Sequence, residues 1–288
     1  MNQIEMPELK TELKATRSLT QSEMTHYRED GYVIVHGLFD RDEMMQVQSV
    51  CQEDPNLTKS LRTIIDHQGK TWHASLWNGL NDSLVSIVTR TARMVEAAEE
   101  IAGEECYHLH SKIVQKPPHD QSCVDWHQGF YSWYNEGFFF ADPIVTCTIA
   151  ITENTKDNGC LQVIKKSHFL GRINHVDVGN SHMCDPHRMD KILERLELIN
   201  CEMAPGDAIF FHANTIHGSQ QNKTDDTRIL MHCHYNAISN QPFPEYQEFH
   251  PYFPLEKLPD SAIKNKLYVS GFEADIKDWN WYSRDPNQ

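Results

Sequence analysis

From residue 105 onward the chain is a succession of short runs rich in β-branched and aromatic residues, separated by turn-forming residues. The turns include two prolines at 117–118, Asn-Gly at 158–159 and Pro-Gly-Asp at 205–207. Regularly spaced short strands without long helices between them are typical of a sandwich or a barrel. We therefore expect a mainly β fold, with strands over 107–115, 144–152, 160–164, 198–203, 208–212 and 229–236.

The residues before this β-rich part favour helices. Thr20 and Glu23 have the spacing of a capping box, and the helix that they open should end near Gly31. A strand is expected over 32–35, a second helix from Asp40, and a third over 82–102, where apolar residues recur at helical spacing. We expect a flexible lead-in over 1–18 and one domain over 19–288, divided into a helical part (19–104), a β core (105–240, with a helical insertion over 186–197) and a C-terminal wrap (241–288).

Composition excludes several classes of partner. The chain has 26 Lys and Arg against 41 Asp and Glu, a formal net charge of -15. No excess of cations is available to neutralise phosphates, which argues against nucleic acid and against an anionic membrane surface. Eight scattered cysteines without a CxxC pair indicate reduced thiols. With no apolar signal segment, we expect an intracellular, cytoplasmic protein that acts on a small molecule; protein partners are not indicated.

Four stretches combine residues that can carry chemistry. They are 124–133 (VDWHQGFYSW), 157–163 followed by Ser167-His168, 205–212 (PGDAIFFH), and 216–219 (IHGS) followed by Asn222 and Arg228. In this order and spacing they resemble the phytanoyl-CoA dioxygenase family of iron oxygenases, over roughly residues 20–265, and most nearly its members that resemble proline 4-hydroxylases. The resemblance implies a double-stranded β-helix (jelly-roll, cupin-like) core with flanking helices.

The resemblance also implies the cofactors iron(II) and 2-oxoglutarate, with molecular oxygen as cosubstrate. It makes His127 and His217 the iron ligands, which suits a site with open positions, because such sites favour imidazole. Arg228 would bind the distal carboxylate of 2-oxoglutarate, since its planar fork can hold a carboxylate through two hydrogen bonds. The remaining candidates for this pocket are Ser219, Lys112, Gln128 and Thr148, the last standing where the family sometimes has a bulky residue.

We expect His110, Trp133 and Tyr131 to line the substrate side, with a role in the aromatic core as the alternative for Trp133 and Tyr131. His108 and His110 share one face of a strand by their spacing of two. The other histidines are expected to be structural or exposed; they are His168, His175, His182, His187, His232 and His234.

Residue 129 departs from the family pattern. The family has His-x-Asp after the first ligand, whereas this chain has His127-Gln128-Gly129 and so lacks the carboxylate. Space beside a cation invites an anion or water. A branch of the family with His-x-Ala or His-x-Gly consists of halogenases, in which chloride or bromide takes the carboxylate's place. We therefore expect a halogenase that acts on an unactivated C–H bond of a small polar substrate such as an amino acid.

Three alternatives stay open at this point. Asp125 lies two residues before His127 and would point to the same side of a strand, where it could offer a substitute carboxylate. The chain could instead be an ordinary 2-oxoglutarate-dependent hydroxylase. It could also be a non-catalytic protein that binds 2-oxoglutarate or another small molecule.

Overall fold

The structure, a computed structural model, describes residues 19–248, 250–252 and 254–273. The expected lead-in and the last part of the expected wrap lie outside these residues. The helices are α1 (Gln21–Asp30), α2 (Arg41–Glu53), α3 (Pro55–Ser60), α4 (Leu84–Arg90), α5 (Ala92–Ala102), α6 (Gly129–Asn135) and α7 (Pro186–Leu193). The strands are β1 (Tyr32–Val35), β2 (Arg62–Ile65), β3 (Thr71–Trp77), β4 (Cys106–Lys116), β5 (Val124–His127), β6 (Ile144–Ala150), β7 (Leu161–Ile164), β8 (His175–Val178), β9 (Ser181–Cys184), β10 (Leu198–Asn200), β11 (Ala208–His212), β12 (His217–Ser219) and β13 (Arg228–Ala237).

The strands form two sheets that face each other and one small hairpin. The larger sheet has the order β1-β11-β6-β13-β4-β3-β2, the smaller one β10-β7-β12-β5, and β8 pairs with β9. Leu161 and Val163 of the smaller sheet pack in one core with Ile209 and Leu230 of the larger sheet. The expected fold class, a jelly-roll core with flanking helices, is confirmed.

Side-chain alternation divides the two faces of the larger sheet. On β13, Met231, Cys233 and Tyr235 belong to the main hydrophobic core, together with Val95 and Ala98 of α5. The residues between them point the other way, because successive side chains on a strand face opposite sides. The helices therefore cover one face of the sheet, and the other face looks toward the smaller sheet.

The N-terminal part contributes more strands than the sequence indicated. Strand β1 was expected, but β2 and β3 were not, and they extend the larger sheet beyond β4. The expected helix over 82–102 is two helices, α4 and α5, which separate at Thr91. The break has a tertiary cause, since the backbone of Leu258 accepts from Ala92 at 2.8 Å and donates to Arg90 at 2.9 Å.

The first two helices each begin at a capping box, at Thr20 and at Asp40, which are their expected starting points. Glu43 completes the second box and also accepts a hydrogen bond from Arg93 Nη2 at 2.7 Å, with both side chains buried or nearly so. Arg93 Nη1 donates to the carbonyl of Leu38 at 3.0 Å. This ion pair fastens α2 to α5. Within the described part of the chain, no helix has the length and apolar character needed to cross a bilayer.

We expect Arg93→Met to lower the free energy of unfolding by about 3–5 kcal/mol, because it leaves the buried Glu43 carboxylate without its counter-charge. The matched control is Lys191→Met, which breaks the solvent-exposed Lys191–Glu194 pair and should cost less than about 1 kcal/mol. Urea denaturation of the two variants measures both values. Equal losses would contradict a stabilising role for the buried pair.

Candidate active site

The two histidines expected to bind iron lie directly opposite each other. His127 ends β5, His217 begins β12, and the antiparallel register pairs them. Their ring centroids are 4.1 Å apart. His127 Nδ1 donates to the carbonyl of Asp125 at 2.8 Å, and His217 Nδ1 donates to the carbonyl of Thr215 at 2.9 Å. Both rings are therefore held in the tautomer whose Nε2 lone pair can bind a metal.

Burial keeps these imidazoles neutral. It holds the pKa of His127 well below its ordinary value, with a further contribution from His217. Burial also lowers the pKa of His217 to about 3. A neutral imidazole has a free lone pair, so both side chains are in the protonation state that a metal requires.

A first cavity, which we call the arginine cavity, lies beside the two histidines. His127, His217, Lys112, Ser219 and Arg228 line it, with several apolar residues. Arg228 is 1% exposed, and its Nε and Nη2 atoms, like Ser219 Oγ, have no hydrogen-bond partner among the described residues.

Buried donors without partners are rare in proteins, since each costs free energy unless a ligand or water satisfies it. Burial also lowers the pKa of Arg228 to about 10 and that of Lys112 to about 8. Two cations and a hydroxyl thus face one small space, and this donor set suits a carboxylate.

Three adjacent strands supply the floor of this cavity and of its neighbour. On β13, His232 lies between Thr148 of β6 and Lys112 of β4, and His234 lies between Thr146 and His110. Thr148 Oγ1 is hydrogen-bonded to His232 Nδ1 at 2.7 Å, so it contacts the cavity floor through that histidine instead of lining the cavity itself.

The structure gives Gln128 a different place from the expected one. Its side-chain Nε2 donates to the carbonyls of Gly171 at 2.8 Å and Asn214 at 2.7 Å, and its Oε1 accepts from Ile173 N at 2.8 Å. The side chain is fully buried and lines neither cavity. The expectation that Gln128 lines the cosubstrate pocket is therefore corrected. Its side chain instead connects the backbone next to His127 with the loops at 171–173 and 214 through hydrogen bonds.

A second cavity, the tryptophan cavity, shares Lys112, His127 and His217 with the first. Trp133 and His110, both expected on the substrate side, line it. The other residues that line it are Leu76, Gly129, Ser132, Glu136, Thr146, His182, Phe211, Ala213 and His234. The expectation that Tyr131 lines the substrate side is corrected: it does not line this cavity, and its ring stacks on His175 with ring centroids 4.1 Å apart.

Gly129 borders the tryptophan cavity as the first residue of α6. A β-carbon added there would lie 2.9 Å and 3.0 Å from two atoms of the Trp133 ring. Trp133 is 3% exposed and its ring packs 5.1 Å from that of His234, so the indole has little freedom to withdraw. The position of the missing carboxylate is thus bounded by an aromatic ring.

Asp125 does not replace that carboxylate. Its Oδ2 accepts from the backbone N–H of His67 at 2.9 Å, and its Oδ1 is hydrogen-bonded to the His67 ring. In residues 19–248, 250–252 and 254–273, no group of three His, Cys, Asp or Glu side chains is arranged to hold a metal ion. The donors present fit an iron ion bound by two imidazoles and completed by ligands from outside the chain.

The sequence analysis missed three histidines of the cavities, His182, His232 and His234. The last two could have been found, because they follow Arg228 by four and six residues on one strand and must share its face. His182 lies on β9, which we did not predict, and its approach to the tryptophan cavity depends on where the β8–β9 hairpin packs in the fold.

Comparisons with known proteins show the family of this chain. The family model for phytanoyl-CoA dioxygenase matches residues 27–230. The ectoine dioxygenase of Bordetella bronchiseptica (strain ATCC BAA-588 / NCTC 13252 / RB50) is 22% identical, over 85% of this chain and 88% of that protein. The L-proline trans-4-hydroxylase of Streptomyces griseoviridis is 23% identical, over 75% of this chain and 86% of that protein.

Solved structures show the same fold. The crystal structure of EctD from S. alaskensis in its apoform has a TM-score of 0.66 and 20% identity, over 86% of this chain and 90% of EctD. The carbocyclase SnoK from nogalamycin biosynthesis has a TM-score of 0.65 and 20% identity, over 83% of this chain and 93% of SnoK.

We expect Arg228→Gln to weaken binding of 2-oxoglutarate, used as the dicarboxylate probe, by roughly tenfold to a hundredfold, because it removes a charge-assisted hydrogen bond. The exposed Arg195→Gln is the matched control and should bind normally. Arg228→Gln should not lower the stability of the ligand-free protein, since it removes a buried charge whose Nε and Nη2 atoms have no hydrogen-bond partner there. Isothermal titration calorimetry and urea denaturation test the two statements, and unaltered binding in Arg228→Gln would remove this residue from the anion site.

Proposed function

Because this chain belongs to the phytanoyl-CoA dioxygenase family, we propose that it is an iron(II)- and 2-oxoglutarate-dependent oxygenase that oxidises an unactivated C–H bond of a small polar molecule. One observation carries the proposal. Two imidazoles with free Nε2 atoms border the same cavity as a buried guanidinium and a hydroxyl that have no partners.

In this proposal each residue has a defined task. His127 and His217 hold the iron through Nε2, and Arg228 with Ser219 holds the distal carboxylate of 2-oxoglutarate. Lys112, which borders both cavities, adds positive charge at their junction. When bound, iron and 2-oxoglutarate supply the oxidative chemistry. The chain binds and orients them, and its apolar walls keep water from the reacting atoms.

Hydroxylation is the first candidate outcome. The curated relatives are called ectoine dioxygenase and L-proline trans-4-hydroxylase, so the comparisons favour a hydroxylase over the halogenase expected from residue 129. For this chain, water or substrate would then occupy the coordination position that Asp fills in the family pattern.

Halogen transfer is the second candidate, and Gly129 favours it. Two neutral imidazoles leave iron(II) with more positive charge than a site with a carboxylate ligand would. Chloride or bromide could supply the missing negative charge beside Gly129, where the Trp133 ring restricts the space to a small ligand. The third candidate is not an enzyme but a protein that binds 2-oxoglutarate without turnover.

Turnover products distinguish these three candidates. With iron(II), 2-oxoglutarate, oxygen and either L-proline or ectoine as first substrates, we expect succinate and a product that is heavier by one oxygen atom, with or without halide. A product with one halogen in place of one hydrogen, formed only with chloride or bromide, would favour the second candidate.

His217→Ala should abolish succinate formation because one of two protein ligands is lost, whereas His187→Ala, at an exposed position, should not. Mass spectrometry of the products and assay of succinate provide the readouts. A wild-type protein that binds 2-oxoglutarate but forms no succinate with either substrate would support the binding protein instead.

Gly129 and Trp133 should act together on metal binding. Gly129→Asp offers a carboxylate ligand, but its β-carbon would meet the outer edge of the indole. We compare the gain in Co(II) affinity that Gly129→Asp causes in the wild type and in a Trp133→Phe background. This gain should be at least roughly tenfold larger in Trp133→Phe, because phenylalanine lacks the outer edge of the indole. The size follows from a charged contact, which is worth about 1.5–3 kcal/mol.

Gly129→Ala in both backgrounds measures the steric cost of the β-carbon without the carboxylate. Calorimetric titration of the variants with Co(II) completes a double-mutant cycle. An equal gain in both backgrounds would contradict the restriction by Trp133.

A further inference from the structure

The tryptophan cavity contains one acidic side chain among the residues that line it, Glu136. Its other titratable groups are histidines and Lys112. Burial lowers the pKa values of His110, His182 and His234, so these rings add no positive charge near neutral pH. Lys112 lies at the junction with the arginine cavity, where an anionic cosubstrate would use its charge.

Glu136 is held in a fixed position. It follows the last residue of α6, and its backbone N–H donates to the carbonyl of Ser132 at 3.0 Å. It is 8% exposed, and its Oε2 is hydrogen-bonded to Nε2 of the buried His250 at 2.7 Å. Glu136 also lines the tryptophan cavity, and burial raises the pKa of its carboxyl group.

A buried carboxylate at the wall of a cavity is stabilised by a cation placed beside it. Helix α6 begins at Gly129, beside the histidines, and seven residues of helix span about 10 Å. A small molecule with a positive charge at Glu136 could therefore place a carbon atom near His127 and His217. His234 Nε2, which has no partner among the described residues, offers a further hydrogen bond on the cavity floor.

We propose that Glu136 recognises a protonated nitrogen of the substrate, so that the substrate class is small amines, including free amino acids. This inference rests on the proposed function, in which the tryptophan cavity receives the substrate. The competing explanation is that the Glu136–His250 pair only fastens the end of α6 to the segment around residue 250.

Matched probes separate these two explanations. A set of free L-amino acids that includes L-proline is compared with the methyl esters and the N-acetyl derivatives of the same amino acids. The esters keep the cationic nitrogen and lose the carboxylate, whereas the N-acetyl compounds do the reverse. Each probe is titrated calorimetrically into protein preloaded with Mn(II) and 2-oxoglutarate.

We expect free amino acids and esters to bind, and N-acetyl compounds to bind at least roughly tenfold more weakly. Glu136→Gln should lower the affinity for the cationic probes by roughly tenfold to a hundredfold, because glutamine has no charge. It should leave 2-oxoglutarate binding and the melting temperature unchanged, since its amide oxygen can still accept from His250. The exposed Glu194→Gln is the control and should bind all probes as the wild type does.

The loading step is measured separately. Failure to load 2-oxoglutarate would count against the proposed function. A loaded protein that binds no cationic probe, or that binds N-acetyl compounds equally well, would overturn the role of Glu136. Undiminished binding of cations by Glu136→Gln would also overturn it and leave the carboxylate with a structural role only.

Discussion

Alternation of side chains along three neighbouring strands organises the whole protein. On β6, β13 and β4, one set of residues packs against the helices, and the set between them faces the smaller sheet. The first set is apolar and forms the main core. The second set contains Lys112, Arg228 and three histidines, and it becomes the floor of both cavities. A shift of one residue in register would exchange these faces and place charges in the core. Stability and chemistry therefore depend on the same pairing.

The second constraint is the register of the smaller sheet. His127 and His217 come from strands far apart in sequence, and their direct opposition brings two neutral rings to one point. Hydrogen bonds to the carbonyls of Asp125 and Thr215 set which nitrogen of each ring is available. The chain thus provides two oriented donors and leaves other coordination positions to molecules that it binds. The residues of the cavity walls must therefore bind and orient the molecules that complete the iron site.

Much of this arrangement could be predicted from the sequence, and the failures have physical causes. The six expected strands of the core are present because turn residues and β-branched runs encode them locally. The hairpin β8–β9 was missed although its local signal is present, since Val176 and Val178 alternate with polar residues and Gly179-Asn180 lies between the paired strands. The break at Thr91 depends on Leu258, which is distant in sequence. The direction of the Gln128 side chain depends on two loops that meet only in the folded protein. Local signals thus predicted elements and ligand candidates, whereas contacts across the fold decided where neighbouring side chains point.

Gln128 gives the site a mechanical connection to the surface of the molecule. Its side chain joins the segment 171–173 to the segment that precedes β12, and its backbone N–H donates to His175 Nε2 at 3.0 Å. The same loop contains Phe169, an exposed aromatic residue, and Arg172, whose guanidinium lies 4.4 Å from the centre of the Tyr134 ring. One buried amide therefore joins an exposed loop to the residue next to His127, and the loop cannot move away from that strand without breaking these hydrogen bonds.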